Sequence, residues 1–217
     1  VSSFGGNELA CVRGERSVFS GLGFRVETGG ALVLTGVNGS GKSSLLRLMA
    51  GLGRPAAGTL HWDGLDIAED PAGHRVRTHY VGHLDAIKPV LTVAEQLAFW
   101  AAIRGCPPGE RAFRTKNALS RFGVAHVADL AGRYLSAGQR RRVNLARLLV
   151  APAALWLLDE PATALDAGAV RLLEGEIARH RGDGGLVVLS THGGQRPPDA
   201  ATLDLSAFAA DSAFSAW

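Results

Sequence analysis

The segment Gly36-Val37-Asn38-Gly39-Ser40-Gly41-Lys42-Ser43 sets three glycines, a lysine and two serines between an apolar run, Ala31–Thr35, and a helical pattern that continues through Ser44 to Met49. That order suits a phosphate chain. Many N–H donors can converge on one anion only where little Cβ bulk intervenes, and a helix N-terminus adds its partial positive charge at the same point. Residues 36–44 then supply main-chain donors, Lys42 a point charge for the β- and γ-phosphates, and the Ser43 hydroxyl a ligand for Mg²⁺. A second group with chemical capacity is Asp159-Glu160, delivered by the continuous apolar run Leu155–Leu158. Two acids at the exit of a buried strand either face solvent or serve a site. With Lys42 in the same chain, Asp159 is expected to hold the Mg²⁺ hydration shell and Glu160 to orient and deprotonate water. A third strand, Leu186–Leu189, ends in Ser190-Thr191-His192, and if the strands are parallel His192 emerges at the same edge, where it can hydrogen-bond a γ-phosphate.

The elements that must hold these residues can be traced along the chain. Asn7–Val12 and Val18–Val26 alternate as strands of a small antiparallel sheet, Gly51–Pro55 closes the first helix, and Thr59–Trp62 with Asp63-Gly64 reads as a strand and tight turn. His79–His83 is a strand running into a loop. Thr92 and Glu95 form a capping box ahead of a helix carrying Leu97, Phe99, Trp100 and Ile103; Arg111–Phe122 is a further helix, and the Trp and Phe residues here are expected to pack as core. Ser136-x-x-Gln139 is a second capping box, opening a helix over 137–149. By default it is a plain helix cap, yet its small residues also let the Ser136 hydroxyl and the first amides meet an anion. The arginines at 140, 141, 142 and 147 are expected on a solvated helix face. Ala167–His180 reads as a helix and Ala201–Leu205 as an edge strand.

The chain of 217 residues is long enough for a sizeable core in a single α/β domain. Its net charge of +3 is spread over dispersed Lys and Arg, without the basic run that nucleic-acid binding favours, so no nucleic-acid partner is expected. Cys11 and Cys106 stand without CxxC or paired-His spacing, which leaves a disulfide framework and a zinc site unsupported. The apolar runs are too short to span a bilayer, so any membrane passage is expected from another chain.

Taken together, the loop 36–43, Leu135–Gln139, Leu155–Asp159 with Glu160, Leu165-Asp166 and His192 resemble the nucleotide-binding domain of ATP-binding cassette (ABC) proteins, over nearly the whole chain. The resemblance implies an α/β P-loop NTPase of the ABC type: a mainly parallel central sheet, an N-terminal antiparallel β subdomain and an inserted helical subdomain at about 91–149, all within one domain over 1–217. It also implies a head-to-tail pair with a second copy. There Gly36, Val37, Asn38, Gly39, Ser40, Gly41, Lys42, Ser43 and Ser44 hold ATP with Mg²⁺, and Ser136, Gly138 and Gln139 of the other copy complete the site. Three positions depart from the usual pattern. His83 stands where most members carry the Q-loop glutamine that approaches the metal, Arg13 stands near the adenine-stacking aromatic, and Ala137 replaces a signature glycine. Gly82-His83, Leu135–Asn144 and Ser190–Gly194 are most similar to the haem-exporter-type ATPases of bacterial cytochrome c biogenesis. Such subunits are peripheral proteins on the cytoplasmic face of the inner membrane, bound to integral membrane subunits of a cytochrome c maturation complex. Their ATP hydrolysis drives haem export or release of a haem-loaded chaperone. An ATPase for another small-molecule transporter, or a non-transport ABC ATPase, are the alternative readings.

Overall fold

The computed structural model describes residues 2–191 and 196–209. Two sheets organise them. Strands β1 (Ser3–Arg13), β2 (Arg16–Glu27), β4 (Ala57–Trp62) and β5 (Leu65–Asp66) form an antiparallel sheet in the order β2-β1-β4-β5. Strands β3 (Ala31–Thr35), β6 (Thr78–Val81), β7 (Leu155–Asp159), β8 (Leu186–Ser190) and β9 (Ala201–Asp204) form a second sheet, ordered β6-β7-β8-β3-β9, in which every neighbouring pair is parallel.

Helices α1 (Lys42–Met49), α2 (Pro71–Arg77), α3 (Val93–Ile103), α4 (Pro108–Arg121), α5 (Ala137–Ala146) and α6 (Ala167–Gly182) connect the strands. The run Leu155–Leu158 lacks alternation because both faces of β7 are covered. Leu155 and Leu157 pack in the core shared with α1 and the antiparallel sheet, whereas Trp156 and Leu158 pack in the core shared with α3, α4 and α6. Helices α3, α4 and α5 all fall between β6 and β7, which are neighbours in the sheet. The chain therefore leaves the sheet edge, builds a helical lobe and returns beside its point of departure.

Both capping boxes form: Thr92 accepts from Glu95 N–H at 3.2 Å and Ser136 from Gln139 N–H at 3.2 Å, each with the reciprocal bond. Two expectations need correction. Phe99 and Phe113 are 52% and 75% exposed, so they do not pack as core, whereas Phe122 is fully buried. The arginines at 140, 141, 142 and 147 do not form one solvated face either: Arg140 is exposed, but the other three are not. Arg141 is 2% exposed, and the guanidinium of Arg147 lies 4.7 Å over the Trp100 ring while donating to the Tyr80 carbonyl. These side chains turn inward because backbone carbonyls at the end of β6 and β7 need donors where the helical lobe covers them. Helix α2 was absent from the sequence reading, although Asp70-Pro71 carries a start signal: Asp70 Oδ1 accepts from Gly73 N–H at 2.8 Å.

Candidate nucleotide site

The parallel register decides which residues meet. Asp159 pairs with Ser190, Leu34 pairs with Ser190 from the other side, and Val81 pairs with Leu158. Hence the loop after β3, the acids after β7, and Gly82-His83 after β6 all emerge at the carboxyl edge of one sheet, where α/β proteins bind ligands.

At that edge the turn 36–41 needs glycine at two particular points. Gly36 has φ 130°, and a Cβ there would sit 2.7 Å from Ser40 Oγ; Gly41, at φ 100°, would place one 2.7 Å from Val18 and 2.9 Å from Phe19. Lys42, only 6% exposed, folds back along the turn and donates Nζ to the carbonyls of Gly36 at 2.7 Å and Val37 at 3.1 Å. Ser43 is exposed beside it, while Ser44 is buried. Ser40 Oγ is buried with no hydrogen-bond partner among the described residues. An orphaned hydroxyl under a glycine turn fits a site whose partner is an external oxyanion.

A cleft of about 610 Å³ is lined by Arg13, Arg16, Val18, Asn38, Gly39, Gly41, Lys42, Ser43, Ser44 and Glu160. That volume lies within the range of small-molecule sites. The turn and the distant acid thus share one cavity, with Arg13 in its wall. Asp159 is 2% exposed, and its Oδ1 accepts from Ser190 Oγ at 2.7 Å. Glu160 has φ 46°, in the left-handed region that costs a residue with a Cβ on the order of 1–3 kcal/mol. Its N–H donates to Ser190 Oγ at 3.0 Å, and its carboxylate lies 3.8 Å from His83 Nδ1. Ser136, Gly138 and Gln139 sit apart from this cleft, at the start of α5, where Gly138 faces the Ala164 carbonyl so closely that a Cβ would approach it to 3.2 Å. His192 lies outside the described residues.

The ABC transporter family profile matches residues 19–163. The chain belongs to the ABC transporter family. Relatives named cytochrome c biogenesis ATP-binding export protein CcmA are 59% identical in Paramagnetospirillum magneticum, covering 96% of both chains, and 58% identical in Rhodospirillum rubrum, covering 96% of this chain and 88% of the relative. Among solved structures, a putative ABC transporter ATP-binding protein from Pyrococcus furiosus superposes with a TM-score of 0.82 over 96% of this chain and all of its own, at 21% identity, which speaks for the fold alone. A second, titled as an ATP-binding subunit of an ABC transporter, gives 0.79 at 26% identity over 87% of this chain and 79% of its own.

As an ABC transporter family member, the chain is an ATPase subunit with the α/β P-loop fold of that family. Among the described residues no helix is long and apolar enough to cross a membrane, and no cluster of three or more His, Cys, Asp or Glu side chains could hold a metal ion alone. Mg²⁺ is usually held by one or two protein oxygens together with substrate phosphates. The hydroxyl of Ser43 and carboxylate of Asp159 are hard donors of that kind, whereas an imidazole is not. Three residues at this edge escaped the sequence reading. Arg16 pairs with Arg13 across the β1–β2 turn and lines the cleft, a placement implied by the short Gly14-Glu15 connection. Ser190 was visible only as the residue two before His192. Arg141 was hidden in a run of arginines.

Proposed function

We propose that the chain is the ATP-hydrolysing subunit of a membrane complex for cytochrome c biogenesis, coupling hydrolysis to haem export or to release of a haem-loaded chaperone. The observation that carries the ATPase site is the single cleft lined by both Lys42 and Glu160. The biological setting rests on the near full-length similarity to proteins named for cytochrome c biogenesis export.

In this reading the triphosphate lies across the amides of 36–44. The Lys42 ammonium exchanges the Gly36 and Val37 carbonyls for β- and γ-phosphate oxygens, and Ser40 gains the acceptor it lacks. Ser43 and Asp159 hold Mg²⁺, which would offset phosphate charge. Glu160 orients a water and takes its proton. Arg13 lies against the base, where a guanidinium can stack. The Ser136 hydroxyl, the Gly138 amide and Gln139 serve a second copy's nucleotide; supporting this, they stand on the lobe outside their own cleft. His192 completes the phosphate contacts.

The contact with integral membrane subunits is assigned to the surface around the loop 83–89 and the neighbouring lobe, at the cytoplasmic face of the inner membrane. Leu84, Val90, Phe99 and Ile103 are all more than half exposed there. The loop is tied to the lobe at one end, since Gln96 donates to the Ala86 carbonyl at 2.7 Å and accepts from Lys88 N–H at 3.1 Å, and it reaches Glu160 through His83 at the other. A bacterium lacking its own version of the relative tests the assignment. Expression of this chain with its membrane partners should restore haem-stained c-type cytochromes. No restoration, with no co-purification of those membrane subunits, would contradict it.

A further inference from the structure

The left-handed peptide at Glu160 persists because both its polar groups are held. Ser190 Oγ takes its N–H at 3.0 Å, and Arg141 Nη2 donates to its carbonyl at 2.7 Å. The same guanidinium is used at every nitrogen. Nη2 also donates to the Asp159 carbonyl at 2.9 Å, Nε to the Pro161 carbonyl at 3.1 Å, and Nη1 to the Gly82 carbonyl at 3.0 Å and Asp85 Oδ1 at 3.2 Å. One buried side chain from α5 therefore spans three successive carbonyls, 159 to 161, and the loop that follows β6. Asp85 is held a second time by Asn144 Nδ2 at 3.1 Å, from the next turn of α5.

We infer that Arg141 is the positioning residue for the Glu160 carboxylate, and that its bonds to Gly82 and Asp85 make the aim of that carboxylate follow the loop 82–89. Arg141 acts through the backbone that carries the base, holding the carbonyls of Asp159, Glu160 and Pro161. The requirement is for a rigid fork. Lysine keeps the charge but offers its three donors from one nitrogen, which cannot face the carbonyls of 159–161 and the loop at once. A displacement of the loop by a membrane partner would pull on Nη1 and so turn the plane that holds Glu160, linking the outer surface to turnover through a single side chain.

The inference rests on Glu160 being the general base, and the test separates the two. ATP hydrolysis by the purified full chain would be followed as phosphate release for wild type, Arg141→Lys, Glu160→Gln and the double variant, with melting curves to confirm folding. A misplacement of about 1 Å costs turnover about 100-fold, so Arg141→Lys should lose about that in kcat with KM for ATP changed less than about twofold. Added to Glu160→Gln it should cost nothing further, because both act on one group. If Arg141→Lys fails to fold, Asp85→Ala, which leaves every carbonyl partner in place, should lower kcat with KM preserved. Wild-type kcat in the folded Arg141 variant beside an inactive Glu160→Gln, or losses that multiply in the double variant, would overturn this inference alone. Unaltered kcat in Asp85→Ala would overturn the link to the loop. Full turnover by Glu160→Gln would overturn the general-base assignment and this inference with it.

Discussion

Replacing Lys42 by alanine removes the only side-chain cation rooted in the glycine turn itself, and the structure sets the size of the loss. The ammonium is held by two carbonyls at 2.7 and 3.1 Å, so binding a triphosphate means exchanging neutral acceptors for charged ones rather than forming bonds from nothing. Bonds to charged groups contribute about 1.5–3 kcal/mol each, and after the exchange a net loss of about 2–3 kcal/mol is expected, a 30- to 150-fold weaker Kd for ATP. The fold should survive, because the two carbonyls released border an open cleft that water can enter. Calorimetric titration measures the affinity directly. Thermal unfolding gives an independent reading: at ATP fixed at about 100 times the wild-type Kd, ligand stabilisation should drop from about 2.7 kcal/mol to about 0.4 kcal/mol if binding weakens 100-fold. A Kd within threefold of wild type, in a variant that melts normally, would refute the placement of Lys42 at the phosphates.

Two further outcomes follow from particular contacts. His79 donates Nε2–H to the Ala151 carbonyl at 2.9 Å, and burial, reinforced by the charge of Arg104, pushes its pKa down to about 3. Its folded value lies below its unfolded value near 6.5, so the unfolded chain takes up the proton first. Stability is therefore full above pH 6.5 and falls as the pH drops toward 3, by about 2 kcal/mol at pH 5 from this residue. Denaturant midpoints for wild type and His79→Gln should converge on acidification; parallel pH profiles would refute the assignment. Ala86 is exposed on the loop that ties His83 to the helical lobe. Ala86→Trp should leave the ATPase rate of the isolated chain within about twofold, as surface substitutions usually do, while abolishing restoration of c-type cytochromes. Equal loss of both would place the coupling surface elsewhere.

What could be read from the sequence was what local chemistry determines. The glycine turn, both capping boxes and the apolar runs of β3, β7 and β8 are visible because each rests on the order of adjacent residues and on burial of both strand faces. The meeting of Lys42 with Glu160 was also legible, since parallel strands must deliver their following loops to one edge. Arg141 was not. Nothing in a run of arginines distinguishes the one that turns inward, because its partners, the carbonyls of 82 and 159 to 161, are backbone groups that any sequence supplies. The exposure of Phe99 and Phe113 was concealed for a related reason: aromatic character argues equally for a core and for a surface awaiting a partner. The contact between His83 and Glu160 depends on where two loops lie, which spacing does not encode.

The decisive measurement is nucleotide turnover and pairing in Glu160→Gln. With the phosphate donors intact and the proton acceptor gone, the variant should bind ATP with near-wild-type affinity, release phosphate more than about 100-fold more slowly, and accumulate as an ATP-bound dimer in size-exclusion chromatography. Undiminished phosphate release, or a variant that stays monomeric with ATP bound, would contradict hydrolysis by Glu160 in a shared interface.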